Sequence, residues 1–323
     1  AGIRGTLTAL ESPNASVTGQ ADIKTDASTF SVSASLADAA LVLPEVTGPV
    51  RLMASADQDG DVWTWQADGG LEGTLIDLAG TATDLFGTPV IAASGTIAAE
   101  DLSKFAAIAR RDIAGSIDIR LDGEVVADLS RADVSLNGVA TDLITGIAEA
   151  DRLLTGAVDI TLDGAVDGET LTLRRALIEG RNVLLDASGA LAPETGNLSA
   201  SGRVAAASLL LEGAPDGPLG FASVASLEGR DWTFDLSADG PELSLAADGV
   251  ALDPMGPAGA VEGRITANAN DLSVFSGLAR RPLTGALSVA AEGGVFFDLS
   301  SFGIKGTTTG RGLSIGQAEG DRL

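Results

Sequence analysis

The sequence predicts an all-β protein with a few short helices, built as an antiparallel repeat sheet. Three observations predict it. Apolar and polar residues alternate with period two over much of the chain, as where Phe30, Val32, Ala34 and Leu36 interleave with Ser31, Ser33 and Ser35. Asp-Gly pairs and the Asn137-Gly138 pair read as sharp reversals, which join antiparallel neighbours rather than βαβ crossovers. A helix-to-strand frame, an Asp-Leu pair followed after ten residues by Ile or Leu, Ala or Thr, then Gly, begins at Asp101, Asp142 and Asp271.

From the start to Glu100 the pattern is strand after strand. Trp63, Trp65 and Ala67 continue the apolar face, followed by Leu71 and by Leu75 through Ile97. Turns are expected at Gly48-Pro49, Asp59-Gly60 and Asp68-Gly69. The first of three repeat helices, near 101–111, starts at Asp101 as its cap. It carries Leu102, Phe105, Ile108 and Ala109 on one side and ends at Arg110 and Arg111, whose charge suits a helix C-terminus. After Gly115 the period becomes two: Ile117, Ile119 and Leu121 oppose Ser116, Asp118 and Arg120, and Asp122-Gly123 reads as a turn. A second helix, near 142–152, leads into Val158, Ile160 and Leu162, with turns read at Asp163-Gly164 and Asp167-Gly168. Strands at Leu171/Leu173, Val183/Leu185/Ala187 and Trp232/Phe234 carry the pattern to a third helix, near 271–281, and then to Leu287 and Val289.

The interval from Asp142 to Asp271 is close to three times that from Asp101 to Asp142, which fits one unit of roughly 42 residues counted once and then three times. The interval from Trp63 to Trp232 equals that from Asp101 to Asp271 to within a single position, so two independent segments keep one register. No Pro- or Ser-rich linker interrupts the pattern, so residues 1–323 read as one continuous β-repeat array. Both ends cut into that pattern, and a fragment of a longer chain is expected. With a strand about every 13 residues and about 4.8 Å per strand, about 25 strands would make an elongated body on the order of 100 Å long.

The net charge of −25 and a pI near 4.1 exclude a nucleic-acid partner, because a phosphate backbone is held by clustered Lys and Arg. The chain has no Cys and no His. Disulfides, thiolate sites, Ser-His-Asp and Cys-His catalysis and His-ligated metals are therefore ruled out. No apolar run approaches the length of a membrane span.

Asp57-Gln58-Asp59-Gly60-Asp61 has the residue types of a calcium loop but lacks the downstream bidentate Glu, and reads as a hairpin turn. The Gly306–Gly312 stretch matches no phosphate-loop order. The Arg110-Arg111 and Arg280-Arg281 pairs could meet lipid phosphates, although ending a helix is their simpler role. No pair of the many carboxylates is singled out for acid–base work. The apolar stripe is the informative feature: a meander with one apolar face must cover it with a second sheet, by closing a barrel, or with a partner. An ordinary sandwich core would use more aromatics than the 4% found here.

The segments DLSKFAAIARRDIAGSIDIRLDGEV and DLSVFSGLARRPLTGALSVAAEGGV, with the strand repeats of small and aliphatic residues around them, resemble the TamB family of the AsmA-like group. These are periplasmic translocation and assembly module proteins and bridge-like lipid transfer proteins. The resemblance implies the middle segment of a protein anchored in the inner membrane, with its sheet curled into an open, taco-like groove in the periplasm. It further implies phospholipid acyl chains in that groove, carried between inner and outer membranes, and an outer-membrane barrel partner of TamA type. No catalytic residue, metal or cofactor comes with it, and no enzyme is expected. The expected groove lining is Trp63, Trp65, Ile117, Ile119, Leu121, Val158, Ile160, Leu162, Trp232, Phe234, Leu287 and Val289. Two other readings stay open: a scaffold or chaperone for outer-membrane protein assembly, and a structural or adhesin-like array with a self-filled core.

Overall fold

A computed structural model describes residues 3–254, 256, 259–298 and 300–316. The chain divides into two units, residues 1–168 and 169–323. Each is an antiparallel meander in which every strand pairs with its neighbour in sequence. Within each unit the sheet is open rather than closed into a barrel, and curled.

The first unit holds β1 (Ile3–Ser12), β2 (Ala15–Ile23), β3 (Thr29–Leu36), β4 (Val50–Asp59), β5 (Val62–Leu71), β6 (Thr74–Thr83), β7 (Val90–Ala99), β8 (Ala114–Val126), β9 (Arg131–Ile144) and β10 (Ala157–Asp167). The second holds β11 (Thr170–Gly180), β12 (Val183–Leu191), β13 (Thr195–Val204), β14 (Leu219–Glu228), β15 (Asp231–Asp239), β16 (Leu243–Leu252), β17 (Ala260–Ala269), β18 (Leu283–Phe296) and β19 (Phe302–Ile315).

The two units repeat each other. Trp63 pairs with Ala82 as Trp232 pairs with Ala251, and Leu52 pairs with Gly69 as Phe221 pairs with Ala238. One constant interval, that from Trp63 to Trp232, relates all four residues of the first unit to their counterparts in the second. The helical segments match as well. A 3-10 turn at Leu102–Phe105 runs into α1 (Ala106–Ala109), and one at Leu272–Phe275 runs into α3 (Ser276–Ala279). Asp101 and Asp271 cap them, each carboxylate accepting from the backbone N–H of the Ser two residues on, at 2.9 and 2.8 Å. Both helices stop at an Arg in the left-handed region, Arg110 at φ 51° and Arg280 at φ 52°.

Three sequence expectations need correction. The helix expected near 142–152 is only α2, Ala148–Leu153, and Asp142 lies in β9. In the other two copies the Asp caps the N–H of the Ser two residues on, whereas Asp142 stands in the left-handed region at φ 48° in a bulge of β9, where the register with β8 shifts, and the strand continues to Ile144. The Asp142 carboxylate instead accepts from Gly156 N–H at 2.9 Å, at the entrance to β10. The recurrence between the two units is thus structural, while the shorter step from Asp101 to Asp142 is a likeness of sequence.

Second, Asp68-Gly69, Asp122-Gly123, Asn137-Gly138 and Asp163-Gly164 are not turns but lie inside β5, β8, β9 and β10. A two-residue hairpin needs positive φ, as at Gly60 (61°), the true reversal of Asp59-Gly60. Gly69, Gly123 and Gly138 are outside that region. They are glycine because the neighbouring strand presses against the apolar side of the chain there: a Cβ on Gly123 would lie 2.7 Å from the Asp133 carbonyl oxygen. Nineteen strands stand among the described residues, fewer than the about 25 expected from a strand about every 13 residues, because many strands run to ten residues or more and helical segments separate some of them.

Third, sequence alternation does not reveal the segments between β3 and β4 and between β13 and β14. Each holds a 3-10 turn, at Ala39–Leu41 and Ala207–Leu209. In each unit these segments and the helical ones all leave the sheet from the same ends of the strands.

Candidate functional site

In an antiparallel sheet directly opposed residues share a face, so the registers assign every side chain to a side. In the first unit Trp63 opposes Ala82, which opposes Ile91, then Val125, Ala132 and Val166. Trp65, Gly80, Ala93, Gly123, Val134 and Gly164 form the next row. Further rows bring together Ile97, Ile119, Gly138 and Ile160, and Ala99, Ile117, Ala140 and Val158. Leu121, Leu136 and Leu162 share another row. Among the described residues that pair directly across β2 to β10, no charged residue falls on this face. Asp57, Asp68, Asp118, Arg120, Asp159 and Asp163 all lie on the other.

The second unit repeats the arrangement. Trp232 opposes Leu227 and Ala251, and Phe234 opposes Ala225 and Gly249. Through β16 and β17 the same face reaches Val289 and Leu287 on β18. All twelve residues expected from sequence to line a groove therefore lie on the apolar face of their own unit. They include every tryptophan in the protein.

Small and large residues alternate across this face. Trp65 lies opposite Gly80, and at the equivalent place in the second unit Phe234 lies opposite Gly249, so each ring sits beside a strand that has no side chain of its own there. Phe30 and Trp63 also touch, with ring centroids 5.5 Å apart.

This face is not sealed. Val158 and Ala140, directly opposed, are fully buried, but Leu162 is 40% exposed, and the three tryptophans and Ile117, Ile119, Leu121 and Ile160 are half-buried. The chain exposes 19971 Å², whereas two separate compact bodies of half the mass would expose about 15,000 Å² together. Cover is local: Ala39, Val46 and Leu71 form a small core at one end of the first unit, with Val50 and Phe105 packed on it.

The opposite face is a lattice of charge and hydroxyl pairs. Asp248, Arg264, Glu292 and Lys305 oppose one another in turn across β16 to β19. Arg264 reaches Asp248 at 3.1 Å and Lys305 reaches Glu292 at 2.6 Å. The hydrogen bond and charge of Lys305 lower the Glu292 pKa, and Glu292 raises that of Lys305. Among the described residues no cluster of acidic side chains is placed to hold a metal ion. No protein-family model, curated protein or solved structure matches the chain.

Proposed function

We propose that this chain is a segment of a non-enzymatic lipid conduit, in which phospholipid acyl chains lie along the apolar face and head groups remain in water. One observation carries the reading: rows of aliphatic and aromatic side chains run uncharged from β2 to β10, half-exposed and without a second layer of protein. Each methylene moved from water onto such a face gains about 0.8 kcal/mol, so a long acyl chain has ample driving force. The curl of the sheet and its glycines suit a flexible apolar chain better than a rigid ligand with fixed polar groups. The likeness of the two Asp-Leu-Ser segments to the TamB family supports the same reading, and on that reading the conduit works in the periplasm with an outer-membrane barrel partner of TamA type. Lipid extraction and native mass spectrometry of the purified protein test it. Co-purifying phospholipid, or uptake of a fluorescent one, is expected; a lipid-free protein that takes up none would overturn it.

A further inference from the structure

The two units differ at one end of their apolar faces, and the difference opens a pocket. In the first unit Leu71 closes the end of β5: it is 8% exposed and packs with Ala39, Val46, Val50 and Phe105. In the second unit the equivalent register position holds Gly240, while Ala207, Leu219 and Phe275 stand where Ala39, Val50 and Phe105 do. With the leucine replaced by glycine, a cavity of about 560 Å³ remains, lined by Leu210, Leu219, Phe275 and Leu278 around Gly240. That lies within the roughly 300–1,000 Å³ of small-molecule sites.

Two acidic residues, Asp216 and Glu242, are among those that line it, and among the described residues no Lys or Arg does. Asp216 also accepts from the Ser208 hydroxyl at 2.5 Å, which fixes it at the wall. An apolar pocket whose only charged lining residues are acidic favours a hydrocarbon bearing a positive charge and disfavours one ending in a carboxylate.

We propose that this pocket is a discrete binding site for the hydrocarbon tail of a cationic amphiphile, present in the second unit and plugged by Leu71 in the first. The site stands on the comparison of the two units and does not rest on the conduit. Backbone geometry permits the decisive variant. A Cβ at Gly240 would meet the Pro218 carbonyl oxygen at 3.4 Å and Leu219 Cδ1 at 3.6 Å, close to ordinary contact distances, and Gly240 has no positive φ.

Calorimetric titration with dodecyltrimethylammonium below its micellar concentration, and in parallel with dodecanoate, tests the proposal. One saturable site for the cation is expected, with dodecanoate at least tenfold weaker. Gly240→Leu, folded by circular dichroism, should weaken the cation at least tenfold. Asp216→Asn with Glu242→Gln should erase the preference between the two probes. Unchanged cation binding in Gly240→Leu overturns the site, and equal binding of dodecanoate by the natural protein overturns its charge preference. Either result can occur while phospholipid still co-purifies, so failure here is distinguishable from failure of the conduit.

Discussion

Gly138 on β9 lies directly opposite Ile119 on β8, and a Cβ at Gly138 would stand 2.8 Å from the Ile119 Cα and closer still to the Asp118 carbonyl oxygen. Flexible side-chain ends can yield to such a contact; backbone atoms cannot. Gly138→Ala should therefore destabilise the protein by about 1–3 kcal/mol, the usual cost of overpacking. Urea unfolding measures it, and a stability equal to that of the natural protein would show that the strands do not approach so closely.

The apolar face divides into sealed and open positions, and the same substitution should separate them. Val158 is fully buried against Ala140, so Val158→Asp should prevent folding, because an unpaired charge would be left inside. Ile119 and Ile160 are half-buried, and Ile119→Asp or Ile160→Asp should leave a folded protein with reduced lipid uptake. Circular dichroism and uptake of a fluorescent phospholipid distinguish the two. Unfolding by the open-position variants would instead indicate a self-filled core.

Acid should act on the two helix caps. Hydrogen bonds from Ser103 hold the Asp101 carboxyl below its ordinary value of 3.8, and those from Ser273 do the same for Asp271. A lowered folded pKa means that the anion contributes stability above the unfolded value and loses it as pH falls through the folded one. Asp101→Asn with Asp271→Asn keeps a neutral cap and removes the charge. The stability difference from the natural protein should be present at neutral pH and shrink below pH 3.8. A difference independent of pH would mean that the charge plays no part.

The faces of the sheet were legible in the sequence because period-two alternation states directly which residues share a side. Thus Ile117, Ile119 and Leu121 could be grouped with Val158, Ile160 and Leu162 before any register was known. The in-strand glycines were misread, because Asp-Gly looks alike whether glycine is needed for positive φ, as at Gly60, or for the absence of a Cβ, as at Gly123. That second need depends on the neighbouring strand, which local sequence does not contain. The pocket was hidden for a related reason: Gly240 becomes informative only when the register sets it against Leu71. An available signal was the run Leu209-Leu210-Leu211, which breaks the alternation as Leu41-Val42-Leu43 does before it.

Tryptophan fluorescence tests the central claim most directly, because Trp63, Trp65 and Trp232 are the only tryptophans and all lie on apolar faces. Bromine is a short-range quencher, so phospholipids brominated along their acyl chains report contact between tail and ring. If acyl chains lie on these faces, brominated phospholipid should quench the emission strongly while the unbrominated lipid leaves its intensity in place. Emission equally bright with both lipids, under conditions where the lipid is shown to be bound, would contradict the account.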